Sequence, residues 1–151
     1  MRVAVGGDHA GFDMKNLISE HVKSLGHMVV DAGAYEYDTL DDFPDFSEAV
    51  AVRVADGTAD RGLIVCGSGV GASVAANKVR GIRAGLCHDT YSARQGVEHD
   101  DMNVVCIGAR IIGEELAKAV VTAFLSASFI EDEEKYVRRL NKVLDIERRN
   151  A

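Results

Sequence analysis

The stretch from Leu63 to Gly71, with the sequence LIVCGSGVG, constrains the fold more than any other part of the chain. Four apolar residues ending at Cys66 run into a turn that has glycine at every second position. Short apolar runs bounded by glycines are typical of strands that are covered on both faces, as in parallel sheets. Residues 71–79 predict the helix that follows. Because ligands of open α/β sheets bind at the carboxyl ends of the strands, Cys66 is predicted to face a bound anion.

This turn differs from three familiar motifs. The P-loop requires Lys and then Ser or Thr after its last glycine, whereas Gly71 is followed by Ala72 and Ser73. A cysteine-dependent phosphatase would carry arginine at the position of Ala72. The dinucleotide fingerprint G-x-G-x-x-G would place its third glycine one residue after Gly71. The turn therefore predicts an anion site of another kind.

Cys66 itself has two interpretations. A cysteine at a strand end is most often a small buried core residue. A helix N-terminus, however, favours the thiolate, which is the form that acts as a base or a nucleophile. Cys87 and Cys106 end other apolar runs that lack glycine turns, so we predict them to be core residues. We interpret Cys66 as the reactive cysteine.

Length, charge and cysteine number limit the class of protein. A chain of 151 residues predicts a single domain over residues 1–151 with a sizeable core. The net charge of −7 gives no basic surface, so neither nucleic acid nor an anionic membrane is an expected partner. No apolar segment predicts export or membrane insertion. Three cysteines without paired spacing predict a cytoplasmic protein.

Strands and helices are predicted to alternate along the whole chain, which indicates a three-layer α/β/α sandwich around a five-stranded, mostly parallel, Rossmann-like sheet. The order of the strands is not predicted. No cysteine or histidine cluster has the spacing of a zinc site, so no metal is expected. The predicted strands are residues 2–5, 29–31, 63–66, 82–87 and 103–107, and the predicted helices are residues 12–25, 46–55, 71–79, a segment from Asp89 through Val97, 113–127 and 130–150.

Two further turns are predicted at the same sheet edge as Cys66. Asp8 and His9 follow the first strand, and Arg110 follows the fifth. Because the carboxyl ends of parallel strands share one edge, these side chains are expected near Cys66. Alternatively, Asp8 only caps the following helix and His9 is a solvated residue.

Two segments have open interpretations. The aromatic residues of the acidic loop 32–45 either cover a site or fill a gap over the core. Residues 98–101 lie between a helix and the fifth strand, which places His99 at the sheet edge opposite Cys66. His99 is then a surface residue unless its loop or a second subunit carries it to the site.

The last predicted helix, residues 130–150, is strongly charged and has a narrow apolar stripe. Four acidic residues at 131–134 are predicted in its first turn, where the helix dipole favours them. A charged helix face is usually solvated. A terminal helix with a narrow stripe also suits packing against a partner subunit, so we predict a dimer.

The motifs in these segments together resemble the RpiB/LacAB family of sugar-phosphate isomerases over nearly the whole chain. They are GGDHAG near the N-terminus, DFPD at 42–45, CGSGVGASVAANKVRGIRA from Cys66, YSAR from Tyr91, EHDDMN from Glu98 and GARIIG from Gly108. The resemblance implies an enzyme that interconverts aldose and ketose phosphates through a cis-enediolate, without a metal or cofactor. Ribose 5-phosphate and ribulose 5-phosphate, of the pentose phosphate pathway, are the first candidates. It also implies a homodimer or tetramer with sites shared between subunits, which would bring His99 to the site.

The resemblance assigns roles to individual residues. Cys66 would move a proton between C1 and C2, His99 would help to open the furanose ring, and Asp8 would lie close to the reacting oxygens. The Ser68 hydroxyl and the backbone N–H groups of Gly67, Gly69, Val70 and Gly71 would stabilise the enediolate. The remaining substrate contacts would come from His9, Arg110, Asp100, Lys135 and Arg139.

Two positions depart from the family pattern. Asp100 stands where family members typically have asparagine, so a carboxylate replaces an amide donor near the substrate. The phosphate-binding motif before the last helix, typically Gly-Gly-Arg-His with Arg two residues later, reads EEKYVRR here. Arg139 keeps its type, whereas Lys135 keeps the charge but not the bidentate fork of arginine. A four-carbon or six-carbon sugar phosphate therefore remains an alternative substrate, and a non-catalytic phosphate-binding module remains an alternative function.

Overall fold

The computed structural model describes all 151 residues, and its strands and helices alternate as predicted. A single turn of 3-10 helix, His9–Gly11, precedes the first α-helix. The strands are β1 (Arg2–Gly7), β2 (Met28–Asp31), β3 (Arg61–Cys66), β4 (Ala84–Leu86) and β5 (Val104–Gly108), and the helices are α1 (Phe12–Ser24), α2 (Phe43–Ala55), α3 (Val70–Ala76), α4 (Thr90–Asp100), α5 (Glu114–Ser126) and α6 (Glu134–Arg149).

The five strands form one sheet in the order β2-β1-β3-β5-β4, and every pair is parallel. The chain leaves β1 towards β2 on one side and returns to β3 on the other, so the order reverses between β1 and β3. A crevice opens at the carboxyl ends of strands at such a reversal. The register aligns Gly7 with Val65 and Cys66 with Gly108, which brings the three central strand ends level.

Buried side chains alternate between the two faces of the sheet. Leu63 and Val65 of β3 belong to the core under α1, α4 and α5, whereas Ile64 and Cys66 belong to the core under α2 and α3. A strand buried on both faces requires this nearly continuous apolar sequence. The three-layer α/β/α sandwich is therefore confirmed, with a sheet that is fully parallel.

Three predicted boundaries were wrong. α2 begins at Phe43, three residues early, because Pro44 fits a first helical turn, where a backbone N–H is not needed. β4 is shorter than residues 82–87 and pairs only with β5. α6 begins at Glu134, so of the acidic run 131–134 only Glu134 lies in its first turn.

The last helix, α6, packs loosely on the rest of the chain. None of its residues is buried, and Val143 and Ile146 of its apolar stripe are 49% and 53% exposed. It contacts α4, where the Tyr136 ring stacks on His99 with the ring centroids 4.0 Å apart. Glu147 also accepts a hydrogen bond from the backbone N–H of Gly81. No helix of the chain is both long enough and apolar enough to span a membrane.

Candidate active site

The turn after β1 holds Asp8 and His9 at the carboxyl edge of the sheet. Asp8 is 7% exposed, and its Oδ1 accepts a hydrogen bond from the N–H of Gly11 at 3.1 Å. A Cβ atom on Gly11 would lie 2.2 Å from the carbonyl oxygen of Val65, so only glycine allows this turn to approach β3. Asp8 thus caps the turn, as one interpretation expected, and also lies beside the end of β3.

Cys66 is the last residue of β3, and its Sγ accepts a hydrogen bond from the backbone N–H of Gly69 at 3.1 Å. Gly69 has a φ of +80°, a conformation that disfavours any residue with a side chain. A Cβ there would also lie 3.0 Å from the carbonyl carbon of Ile107. The turn therefore needs glycine to direct an N–H donor at the sulfur.

Arg110 follows β5 and borders the same edge. Its backbone N–H donates to the carbonyl of Gly67 at 3.0 Å, and the N–H of Ala109 donates to the carbonyl of Cys66 at 2.8 Å. These two bonds join the turns after β3 and β5. They hold the Arg110 guanidinium next to Gly67.

Together the three turns enclose a cavity of about 430 Å³, within the usual range for small-molecule sites. Gly69 and Val70 are not among its lining residues, and the N–H of Val70 donates to Ser68 Oγ. Three lining residues were not singled out by the sequence, and they are Ala10, Phe43 and Ile111. The Phe43 ring lies close to Gly71, where a Cβ atom would lie 2.7 Å from it. The cavity is lined by Asp8, His9, Ala10, Phe43, Cys66, Gly67, Ser68, Gly71, Arg110 and Ile111.

The charges in this cavity suit an anion. A hydrogen bond to Asp41 raises the pKa of His9 above 6.5, and the charges of Asp8 and Asp41 act in the same direction against desolvation and Arg110. His9, whose pKa is raised, and the Arg110 guanidinium therefore both line the cavity. A phosphate would be held by such groups.

Asp8, His9 and Asp41 place one potential ligand atom each within 4.8 Å of one another. Two of these side chains are already paired, since His9 Nδ1 and Asp41 Oδ1 form a hydrogen bond of 2.7 Å. Binding of a cation would have to break this bond. The geometry favours the paired state of the two side chains.

The other two cysteines are core residues, as predicted. Cys87 is 5% exposed, and burial together with the charge of Asp89 raises its pKa to about 11. Cys106 is fully buried, which raises its pKa further. Both remain thiols at neutral pH, and neither lines the cavity.

Four of the predicted site residues lie away from this cavity. His99 and Asp100 are in the last turn of α4, which leads into the amino end of β5, so they lie at the opposite sheet edge. Lys135 and Arg139 are on α6, next to His99 through its contact with Tyr136. One chain thus carries two separate groups of predicted site residues.

Asp41 was not singled out by the sequence, although it contacts His9 directly. It belongs to the acidic loop 32–45, where five acidic residues gave no reason to choose one. Phe43 comes from the same segment, and its position beside Gly71 supports the interpretation that an aromatic residue there covers the site. The contact of Asp41 depends on a chain separation of 32 residues, which no local pattern reveals.

Comparison with known proteins assigns the family. The chain matches the Ribose/Galactose Isomerase family over residues 3–143. The chain belongs to this family. The resemblance expected from the motifs is therefore confirmed.

Individual members of the Ribose/Galactose Isomerase family match over most of the chain. Ribose-5-phosphate isomerase B of Escherichia coli (strain K12) is 40% identical, with 98% of this chain and 97% of that protein covered. D-erythrulose-4-phosphate isomerase of Pectobacterium atrosepticum is 41% identical, with 85% of each chain covered. The structure of Clostridium thermocellum ribose-5-phosphate isomerase B superposes with a TM-score of 0.95 at 38% identity, with 100% of both chains covered.

Proposed function

We propose that this protein interconverts an aldose phosphate and a ketose phosphate through a cis-enediolate, with ribose 5-phosphate and ribulose 5-phosphate as the first candidates. The observation that carries the proposal is the Cys66 sulfur, which receives an N–H donor and shares one cavity with Asp8, His9 and Arg110. Membership of the Ribose/Galactose Isomerase family supports it. The same proposal includes that residues 1–151 form one domain and that the protein acts in the cytoplasm, in the pentose phosphate pathway.

In the chemical step, the Cys66 thiolate removes the proton from C2 of the open-chain aldose. The electron pair passes to the carbonyl oxygen at C1, which gives the enediolate. The resulting thiol returns the proton to C1, the hydroxyl proton of O2 passes to O1, and the carbonyl group re-forms at C2. Atoms and electrons balance without any further reactant.

Stabilisation of the enediolate is assigned to the turn after β3. The Ser68 hydroxyl and the backbone N–H groups of Gly67 and Gly71, which line the cavity, would donate to the developing negative charge, which is usually the largest contribution to such a step. Gly69 and Val70 already direct their N–H groups at Cys66 and Ser68, so they act on these side chains. Asp8 would lie near the two reacting oxygens, while His9 and Arg110 bind the phosphate.

A second copy of the chain is proposed to complete the site. His99, Asp100, Lys135 and Arg139 lie at the other sheet edge, where they cannot line the Cys66 cavity of their own chain. The half-exposed stripe of Val143 and Ile146 on α6 would be covered in a homodimer or tetramer. His99 of one subunit would then assist ring opening at the Cys66 of another.

The identity of the sugar depends on Asp100 and Lys135. A carboxylate at position 100 disfavours a nearby phosphate, and lysine binds phosphate without the bidentate geometry of arginine. A relative that is 41% identical is a D-erythrulose-4-phosphate isomerase, so members of similar sequence differ in the sugar. A four-carbon or six-carbon sugar phosphate is therefore the alternative substrate.

A panel of four-carbon to six-carbon aldose phosphates tests the proposal. We expect turnover with the highest kcat/KM for ribose 5-phosphate. A higher value for another sugar would transfer the assignment to that sugar, and binding without turnover of any member would indicate the non-catalytic phosphate-binding module. The isosteric variant Asp100→Asn should lower KM for the preferred sugar if this carboxylate faces the substrate, because it removes a negative charge and restores an amide donor.

A further inference from the structure

Asp41 forms hydrogen bonds with both the backbone and the ring of His9. Its Oδ1 accepts a hydrogen bond from the backbone N–H of His9 at 3.0 Å and lies 2.7 Å from Nδ1 of the same residue. The side chain of Asp41 is only 10% exposed. One carboxylate oxygen therefore fixes both the backbone and the ring of His9.

The other oxygen of Asp41 has no partner. Oδ2 is buried and accepts no hydrogen bond. A buried carboxylate with an unpaired oxygen is costly unless a cation compensates its charge. His9 is the cation-forming side chain that contacts Asp41, so this environment favours the His9 imidazolium.

The ring geometry then determines what His9 offers to the cavity. Nδ1 is held by Asp41, and the Nε2 atom on the other side of the ring has no hydrogen-bond partner within the chain. His9 lines the same cavity as Cys66 and is 29% exposed. In the imidazolium both nitrogens carry hydrogen, so Nε2–H is free to donate to an anion.

Asp41 is itself held in place by its loop. Its backbone N–H donates to the carbonyl of Asp38 at 3.2 Å, and the Asp38 carboxylate accepts the N–H of Leu40 at 2.9 Å. α2 begins immediately afterwards at Phe43. A turn anchored at both ends therefore presents the Asp41 carboxylate to His9.

We propose that Asp41 is a positioning residue that keeps His9 as an imidazolium with Nε2–H directed at the phosphate of the substrate. This inference rests on the proposed sugar-phosphate isomerase function and adds a residue to it. Asp41 acts through His9 and does not contact the substrate.

The charged and titratable groups that face His9 are Asp8 in its own turn, Asp41 in the loop, Arg110 after β5 and Cys66 at the end of β3. The pKa of His9 is raised chiefly by its hydrogen bond to Asp41. Phosphate affinity due to the imidazolium is present at low pH and is lost as the pH rises through this pKa. Removal of the Asp41 charge lowers the pKa, so the loss moves to lower pH.

Kinetics of Asp41→Asn test the role in substrate binding. We expect KM to rise about tenfold near pH 7 with kcat changed less than about twofold, because the phosphate contact is the same in the ground state and the transition state. The basic limb of kcat/KM should move to lower pH, and Asp41→Glu should partly restore it. Glu36→Gln is the matched control from the same loop, because the exposed Glu36 side chain makes no hydrogen bond, and it should leave the pH profile in place. An unchanged profile in Asp41→Asn overturns the proposal.

Proton NMR titration of His9 gives a readout that does not need turnover, with the resonance identified by its loss in His9→Gln. In the wild type His9 should titrate above pH 6.5, and in Asp41→Asn its pKa should fall while inorganic phosphate binds more weakly. A wild-type value below 6.5 overturns the proposal even if the variant fails to fold. If no sugar phosphate of the panel is turned over, the proposed isomerase function fails. The His9 titration and the binding of inorganic phosphate would still test whether Asp41 keeps His9 protonated.

Discussion

Cys66→Ala is expected to lower kcat about 1,000-fold or more, because loss of a positioned base removes a factor of roughly 10² to 10⁴ from a proton-transfer step. Affinity for the sugar phosphate should change little, since His9 and Arg110, the proposed phosphate ligands, lie in other turns of the cavity. Steady-state kinetics give kcat, and calorimetric titration of the ketose phosphate gives the dissociation constant. The expected pattern is an enzyme that binds normally and does not turn over.

The chain offers a matched control in Cys87→Ala. Cys87 and Cys66 are both 5% exposed, so the two substitutions remove similar volumes from similar depths. Cys87 lies outside the cavity, and its loss should reduce stability by about 1 kcal/mol with kcat nearly unchanged. An active Cys66→Ala enzyme would show that another group moves the proton.

Mixing two inactive variants is expected to restore activity if the site is shared between subunits. Cys66→Ala and His99→Ala each lack one group. When their subunits are exchanged in equal amounts, half of the dimers are mixed, and one of the two sites in each mixed dimer has both groups intact. The mixture should therefore recover about a quarter of the wild-type activity for a symmetric dimer.

The double variant carrying Cys66→Ala and His99→Ala on one chain is the control for this exchange. When it is mixed with an equal amount of wild-type chain, each site of a mixed dimer contains one altered residue, so both sites are inactive. Activity should then fall to about half that of the wild-type protein added. Subunits with independent sites would instead keep all of that activity. Independent sites would also give no recovery of activity when Cys66→Ala and His99→Ala are mixed. Absence of recovery would contradict the assignment of His99 to a partner's site.

The central site could be predicted from sequence because parallel strands share a carboxyl edge. Asp8, Cys66 and Arg110 each follow a buried apolar strand, so their proximity depends only on the sheet being parallel. His99 precedes a strand, and the same rule places it at the opposite edge, where it lies. Local sequence patterns are sufficient for arguments of this kind.

Other features depended on contacts between distant segments. The strand order β2-β1-β3-β5-β4 is set by long-range pairing, which local periodicity does not encode. The pairing of Asp41 with His9 joins residues 32 positions apart, and the acidic loop gave no signal for one carboxylate. The start of α6 was placed too early because its acidic run suits a first turn as well as the segment before one.

Alkylation with iodoacetamide, followed by mass spectrometry, tests whether modification of the Cys66 thiol abolishes isomerase activity. Cys66 lines the cavity, whereas Cys87 and Cys106 are buried outside it with raised pKa values. We predict modification at Cys66 alone, in step with the loss of activity and slowed by ribose 5-phosphate. Full modification of Cys66 with activity retained, or inactivation that follows modification of another cysteine, would contradict the proposed role of Cys66 as the base.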